Sequence, residues 1–209
     1  MDPLLFSAVL ALAIAATFQY FLGMKKNRWV ASKISKEAES ALGPKSTEYV
    51  NIGGAIGHNF VYKLAGTWTE AKGTFTLSPR QSLLYLPLSL LIGVRDRFFV
   101  NLFTAKKLSG EAHLVEASYL RRVRIDGRDT MDRKEIATGN NRFIALWKGG
   151  RDPSPMFESM LKKLPSPSVL RHYCCYPNNR TVFIHLSPRR GEVEAALRVI
   201  EPAAREFVM

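Results

Sequence analysis

Leu4 to Gly23 (LLFSAVLALAIAATFQYFLG) is an uncharged run of 20 residues, and Lys25, Lys26 and Arg28 follow it at once. A helix rises about 1.5 Å per residue, so roughly 20 apolar residues are needed to cross a hydrocarbon layer about 30 Å thick. The run has that length with nothing to spare, and it predicts one transmembrane anchor over residues 1–23. Asp2 is the sole charged side chain before it, whereas the cationic cluster follows it. Positive charge is retained on the cytoplasmic side, which predicts an outside N-terminus and a cytosolic remainder. Trp29 joins Lys25, Lys26 and Arg28 as the expected contact with the headgroups. A cleaved signal peptide is the competing reading. Ala13-Ile14-Ala15 resembles a cleavage site, but Asp2 stands where a basic n-region belongs. A buried core helix fits less well, because such helices usually carry polar interruptions.

The pattern stays helical and turns polar over residues 24–44, a juxtamembrane helix that ends at Gly43-Pro44. Residues 45–209 suffice for one domain with a real core. Alternating runs predict strands at Asn59–Leu64, Gly73–Leu77, Arg97–Thr104, Arg142–Lys148, Val169–Tyr176 and Thr181–Leu186, with another near His113–Ala117 inside an irregular polar stretch. Pro177-Asn178-Asn179-Arg180 reads as a hairpin turn. Ser154-Pro155 opens a helix with Phe157, Met160, Leu161 and Leu164 on one face. Ser187-Pro188 opens the last helix, which Pro202 should bend. The fold class expected is α+β, a single N-terminal transmembrane helix followed by one cytosolic domain with an antiparallel-rich sheet covered by helices.

One segment stands out. Ser78-Pro79-Arg80-Gln81 carries the signals of a helix start, and behind it come Leu83, Leu84, Tyr85, Leu86, Leu88, Leu90, Leu91 and Ile92, with Pro87 expected to kink the helix. Its dozen residues cannot span a bilayer. Two readings stay open: a helix buried between the sheet and another layer, or one that touches lipid or a membrane partner. FTLSPR (Phe75–Arg80) is echoed by IHLSPR (Ile184–Arg189), which suggests repeated strand-to-helix units.

A net charge of +12 favours an anionic neighbour: lipid, ribosomal RNA or an acidic protein. Arg121, Arg122, Arg124 and Arg128 crowd one stretch, interleaved with Asp126, Asp129 and Asp132. That stretch is either a solvated loop or a contact for phosphate-rich RNA or lipid headgroups. His58, His113, His172 and His185 are scattered without metal spacing. The two cysteines, Cys174 and Cys175, are adjacent, so on a strand they face opposite sides. No nucleophile elbow, phosphate loop or zinc motif occurs, so no enzyme, metal or cofactor is expected. Asn179-Arg180-Thr181 would accept a glycan only outside the cytosol.

The order of these parts is similar to a known family. The anchor is followed by Gly-x-Lys-Lys-Asn (Gly23–Asn27), a polar helix (Arg28–Leu42), a strand-helix-strand within Gly73–Thr104, and a strand then helix at Arg142–Leu164. The strand Arg180–Leu186 then precedes an amphipathic helix. This resembles the calumin family, the coiled-coil-domain membrane subunit of the PAT complex at the endoplasmic-reticulum translocon. The likeness covers most of Phe18–Val208, as order and character of elements. It implies a non-enzymatic accessory of the SecY-type translocon that supports multipass insertion beside a small membrane chaperone and near the ribosome. Leu83–Ile92 would then be the greasy partner contact. Family members carry an acidic lumenal segment before the span and a long basic coiled coil after the last helix. Here Met1-Asp2-Pro3 precedes the span and the chain stops at Met209. Calcium buffering is therefore not carried over, and the coiled-coil contact with the ribosome is in doubt. A shortened archaeal relative in the plasma membrane is the expectation, with the endoplasmic-reticulum membrane as its eukaryotic equivalent.

Overall fold

A computed structural model describes residues 2–189 and 192–209. Helix α1 (Pro3–Leu42) is a single unbroken element of 40 residues, about 60 Å long. Asp2 caps it by accepting from the Leu4 N–H at 2.9 Å, and Pro3 occupies the first turn, where its missing N–H is not needed. Gly43 ends it in the left-handed region (φ 56°), donating its N–H to Glu39 O at 2.9 Å. The predicted anchor and juxtamembrane helix are therefore one rod, and only its composition changes near residue 23. Its N-terminal half is long and apolar enough to cross a membrane, with none of the most apolar stretch buried in the protein. Its C-terminal half buries Gly23, Asn27, Ala31, Ile34 and Ala38, a stripe at helical spacing laid on the domain.

The domain is a nine-stranded sheet whose neighbours are all antiparallel. Its strands are β1 (Ser46–Asn51), β2 (Gly57–Lys63), β3 (Glu70–Thr76), β4 (Arg97–Phe103), β5 (Glu111–Glu116), β6 (Asp132–Thr138), β7 (Asn141–Lys148), β8 (Leu170–Tyr176) and β9 (Thr181–Leu186). They lie in the order β1-β2-β3-β4-β9-β8-β5-β7-β6. Among the described residues, three further α-helices complete the fold: α2 (Tyr85–Leu91), α3 (Ser154–Lys163) and α4 (Glu192–Ala204). One sheet face carries Phe60, Phe75, Phe98, Leu102, Leu114, Phe143 and Ile184 into a core shared with Ile34 and Ala38, Phe157 and Met160, and Leu197 and Ile200. Each such large side chain contributes about 1.5–3 kcal/mol by leaving water. Glu37 of α1 accepts from the Val193 N–H at 3.1 Å, so the long helix also satisfies the first turn of α4. The expected α+β class is what the chain adopts.

Several local expectations need correction. Ser78-Pro79 opens no helix: α2 begins at Tyr85 without a side-chain cap. The Ser78 N–H goes to Asp96 Oδ1 at 2.9 Å, and the Ser78 carbonyl accepts from Asn27. Pro87 falls in the first turn of α2, where it removes no helical bond, so it does not act as a kink. Ser187-Pro188 likewise precedes α4, which begins at Glu192; residues 190 and 191 lie outside the described residues. Two strands go unpredicted. Every residue of β1 is exposed, and β6 buries Ile136 alone, so neither shows the alternation that marks a half-buried strand. Both are edge strands, held in register by β2 and β7.

Candidate functional site beside the long helix

The segment between β3 and β4 is tied to α1 at the boundary of its apolar half. A Cβ on Gly23 would run into the Arg80 carbonyl oxygen, so glycine alone admits this backbone contact. Gln19 Nε2 donates to the same carbonyl at 2.6 Å. Asn27, fully buried, donates to Ser78 O at 3.0 Å and Gln81 Oε1 at 3.2 Å, while its own oxygen accepts from Arg80 Nη1 at 2.9 Å. Both ends of the Asn27 amide are thus used. Arg80 completes the knot with a two-pronged pair to Asp96, at 3.1 and 2.8 Å. Gly23 and Asn27 are the outer residues of the Gly-x-Lys-Lys-Asn stretch, and the fold uses them for docking.

From this knot hangs an apolar ledge. Leu84 and Leu91 are 75% and 84% exposed, and Tyr85, Leu88, Leu90 and Ile92 are exposed too. Leu83 and Leu86 are half-buried. The buried member of α2 is Ser89, whose hydroxyl donates to Leu86 O at 2.7 Å. The reading of this segment as a layer buried against the sheet is therefore overturned. Phe18, Phe21 and Leu22 of α1 are exposed as well, and the knot joins the two apolar surfaces. A soluble surface rarely leaves so many large apolar side chains together; such a patch marks a membrane or protein contact.

Behind the ledge is a cavity of about 580 Å³ whose lining includes Lys26, Lys33, Arg80, Arg95, Arg171 and Arg189, set against Glu37 and Asp96. The SPR echo explains its architecture. Strands β3 and β9 flank β4 and both run antiparallel to it, so both SPR segments emerge at the same sheet end. Asp96, just before β4, sits between them: it accepts from the Ser78 N–H, and its carbonyl accepts from Ser187 Oγ at 3.3 Å. Arg80 is held by Asp96 and Arg171 by Glu116, at 2.8 and 3.1 Å. Trp29 takes Lys26 over its ring at 4.4 Å and Lys33 at 5.5 Å. Lys25 and Arg28 are exposed and do not line the cavity.

The arginine-rich stretch behaves differently. Arg121, Arg122, Arg124 and Arg128 are all exposed. Arg124 and Arg128 pair with neighbouring Asp126 and Asp129 at 3.4 and 3.8 Å, contacts so open to solvent that they contribute little. Among the described residues, the hollow that Arg128 lines is not shared by Arg121, Arg122 or Arg124.

Three of the four histidines, scattered in sequence, are gathered by the sheet, while His58 stays on β2, stacked on Phe75. His113 on β5 stands opposite Cys174 on β8, and His172 stands opposite His185 on β9. His113, His172 and His185 are buried on the sheet face opposite the core, where the Tyr119 ring meets His185 edge-on at 5.0 Å and the Tyr176 ring meets His113 edge-on at 5.6 Å. Burial, helped by the neighbouring histidines, lowers the pKa of His172 to about 3. Burial, then Arg97 and Arg171, lowers that of His185 to about 4. Both rings are neutral at physiological pH. Burial pushes the Cys174 thiol far up. Cys175 faces the core, as adjacent strand positions require. Only strand pairing brings these residues together, and pairing is not written in their spacing. Compared with known proteins, the chain matches no family model and no curated protein.

Proposed function

We propose that this chain is a non-enzymatic accessory of the SecY-type translocon, anchored by α1 with its N-terminus outside and its domain in the cytosol. The exposed ledge pinned beside the apolar half of α1 carries this reading. At that depth the ledge lies within the leaflet, where it meets either acyl chains or the flank of another membrane protein. Nascent spans with central charges cost about 2.5–3.5 kcal/mol each to insert. A protein that offers Leu84, Leu88 and Leu91 at the channel's lateral side, together with a small membrane chaperone, shelters such spans without chemistry. Lys25, Lys26, Arg28 and Trp29 hold the depth at the headgroups, and the ribosome is the expected neighbour on the cytosolic side.

Photo-crosslinking from Leu88 and Leu91 in native membranes tests this. A channel subunit or small membrane chaperone should be captured, in amounts that fall when Leu84, Leu88 and Leu91 are changed together to serine. Attachment to lipid alone would overturn the translocon role. The cationic cavity favours a second reading, a tethered module for anionic lipid: basic hollows next to a membrane-crossing helix suit phosphate headgroups. That reading expects flotation with acidic but not neutral vesicles, weakened by salt.

A further inference from the structure

We infer that the outer face of the β5–β8 seam binds one divalent transition ion, zinc by its donor set, through His113, His172 and Cys174. His172 and Cys174 leave β8 on the same face two residues apart, and His113 faces Cys174 from β5. Each offers one ligand atom, and these atoms lie within 4.8 Å of one another with all three residues buried. The edges of a tetrahedral zinc site with bonds of about 2.0–2.3 Å are roughly 3.3–3.6 Å long, so side-chain rotations of about 1 Å close the set. One edge is already there, His113 Nδ1 to His172 Nε2 at 3.3 Å; Cys174 Sγ lies 3.9 Å from the other ring nitrogen, Nε2, so the thiol is the ligand that must move.

The surroundings point the same way. Glu111, on the same face of β5 as His113, places Oε1 at 3.2 Å from His113 Nε2. A carboxylate behind a ligating imidazole fixes its tautomer and strengthens it as a donor. With a thiolate and this carboxylate, two neutral imidazoles leave a divalent ion's charge balanced. His185, opposite His172, has both ring nitrogens buried without a hydrogen-bond partner. Buried polar atoms left this way are what an ion's own bound water would satisfy. Packing alone would be served better by apolar side chains on this patch.

The location suggests what the ion does. The β5–β8 ladder registers four residue pairs, fewer than any other in the sheet, and it alone joins β5, β7 and β6 to the rest. An ion bridging those two strands clamps the seam. The ion site and the proposed membrane role stand apart, so either can fail without the other.

The test uses the full chain in detergent, titrated with zinc and with cobalt against a competing chelator. One ion per chain should bind, with a thiolate-to-cobalt absorption band and a rise in unfolding temperature. Cys174→Ser should lose the band and most of that rise while remaining folded by circular dichroism. Cys175→Ser, one residue away on the other face, should keep both. His172→Ala should weaken binding at least tenfold. No stoichiometric ion in the wild-type chain, or a band that survives in Cys174→Ser, overturns the site.

Discussion

Leu83–Ile92 and Arg121–Arg128 are the two stretches where one kind of side chain crowds, and the fold treats them in opposite ways. Most of the leucines are exposed, yet their segment is fixed to α1 by the buried Asn27 and the part-buried Arg80 and Asp96. The arginines are exposed and tied to little beyond their own neighbouring aspartates. Anchoring an apolar surface into water orders a segment for no gain unless something else covers it. A solvated charged loop has no such need. A dense run in the sequence is not itself a site. The cations that share a cavity come from α1, the two SPR segments, the approach to β4, and β8, and none of those stretches is conspicuously basic except the one after the apolar run.

The largest effect that sharpens this contrast belongs to Arg80. Arg80→Leu leaves Asp96 and the Asn27 oxygen without their partner in a mostly buried place, at a cost of about 2–4 kcal/mol, reduced from a fully buried pair by partial exposure. Urea unfolding of the detergent-solubilised protein reads this; a change below about 0.5 kcal/mol would break the claim that the ledge is pinned. Gly23→Ala comes next and is the more telling in sign. In an open helix that exchange stabilises by about 1 kcal/mol, whereas here the new Cβ strikes the Arg80 carbonyl and should destabilise by about 1–3 kcal/mol. Limited proteolysis should then cut between residues 77 and 96, and unchanged resistance would show that the contact is not tight. The smallest effect is expected from changing Arg121, Arg122, Arg124 and Arg128 together to glutamine. Stability should move by less than about 0.5 kcal/mol, and crosslinks from the ledge should stay the same. Loss of those crosslinks would shift the functional surface to the arginine loop.

Much of the fold was legible because its signals are local. The apolar run, the hairpin at Pro177–Arg180 and the buried face Phe157, Met160, Leu161 and Leu164 each follow from patterns within a dozen residues. Edge strands β1 and β6 were not legible, since they take their register from partners and bury almost nothing. Serine-proline favours a helix start locally, but Asp96 and Asn27, distant in sequence, claim the backbone groups of Ser78, and the Val169 carbonyl claims the N–H of Ser187. Of the candidate site, the greasy segment and the basic stretch after the anchor could be named in advance. The knot, the cavity and the histidine–cysteine patch could not, because each depends on which strands become neighbours. The echo of FTLSPR and IHLSPR and the basic stretch holding Lys26 were the visible traces of the cavity.

The proposed role requires the ledge to lie in the leaflet beside α1 while the arginine loop stands in water. Single cysteines at Leu91 and Arg124, challenged with a water-soluble maleimide in sealed vesicles that expose the cytosolic side, test it directly, since Cys174 and Cys175 are buried. Arg124→Cys should label fully, and Leu91→Cys should stay protected until detergent is added. Equal and rapid labelling at both positions in intact vesicles would contradict the account.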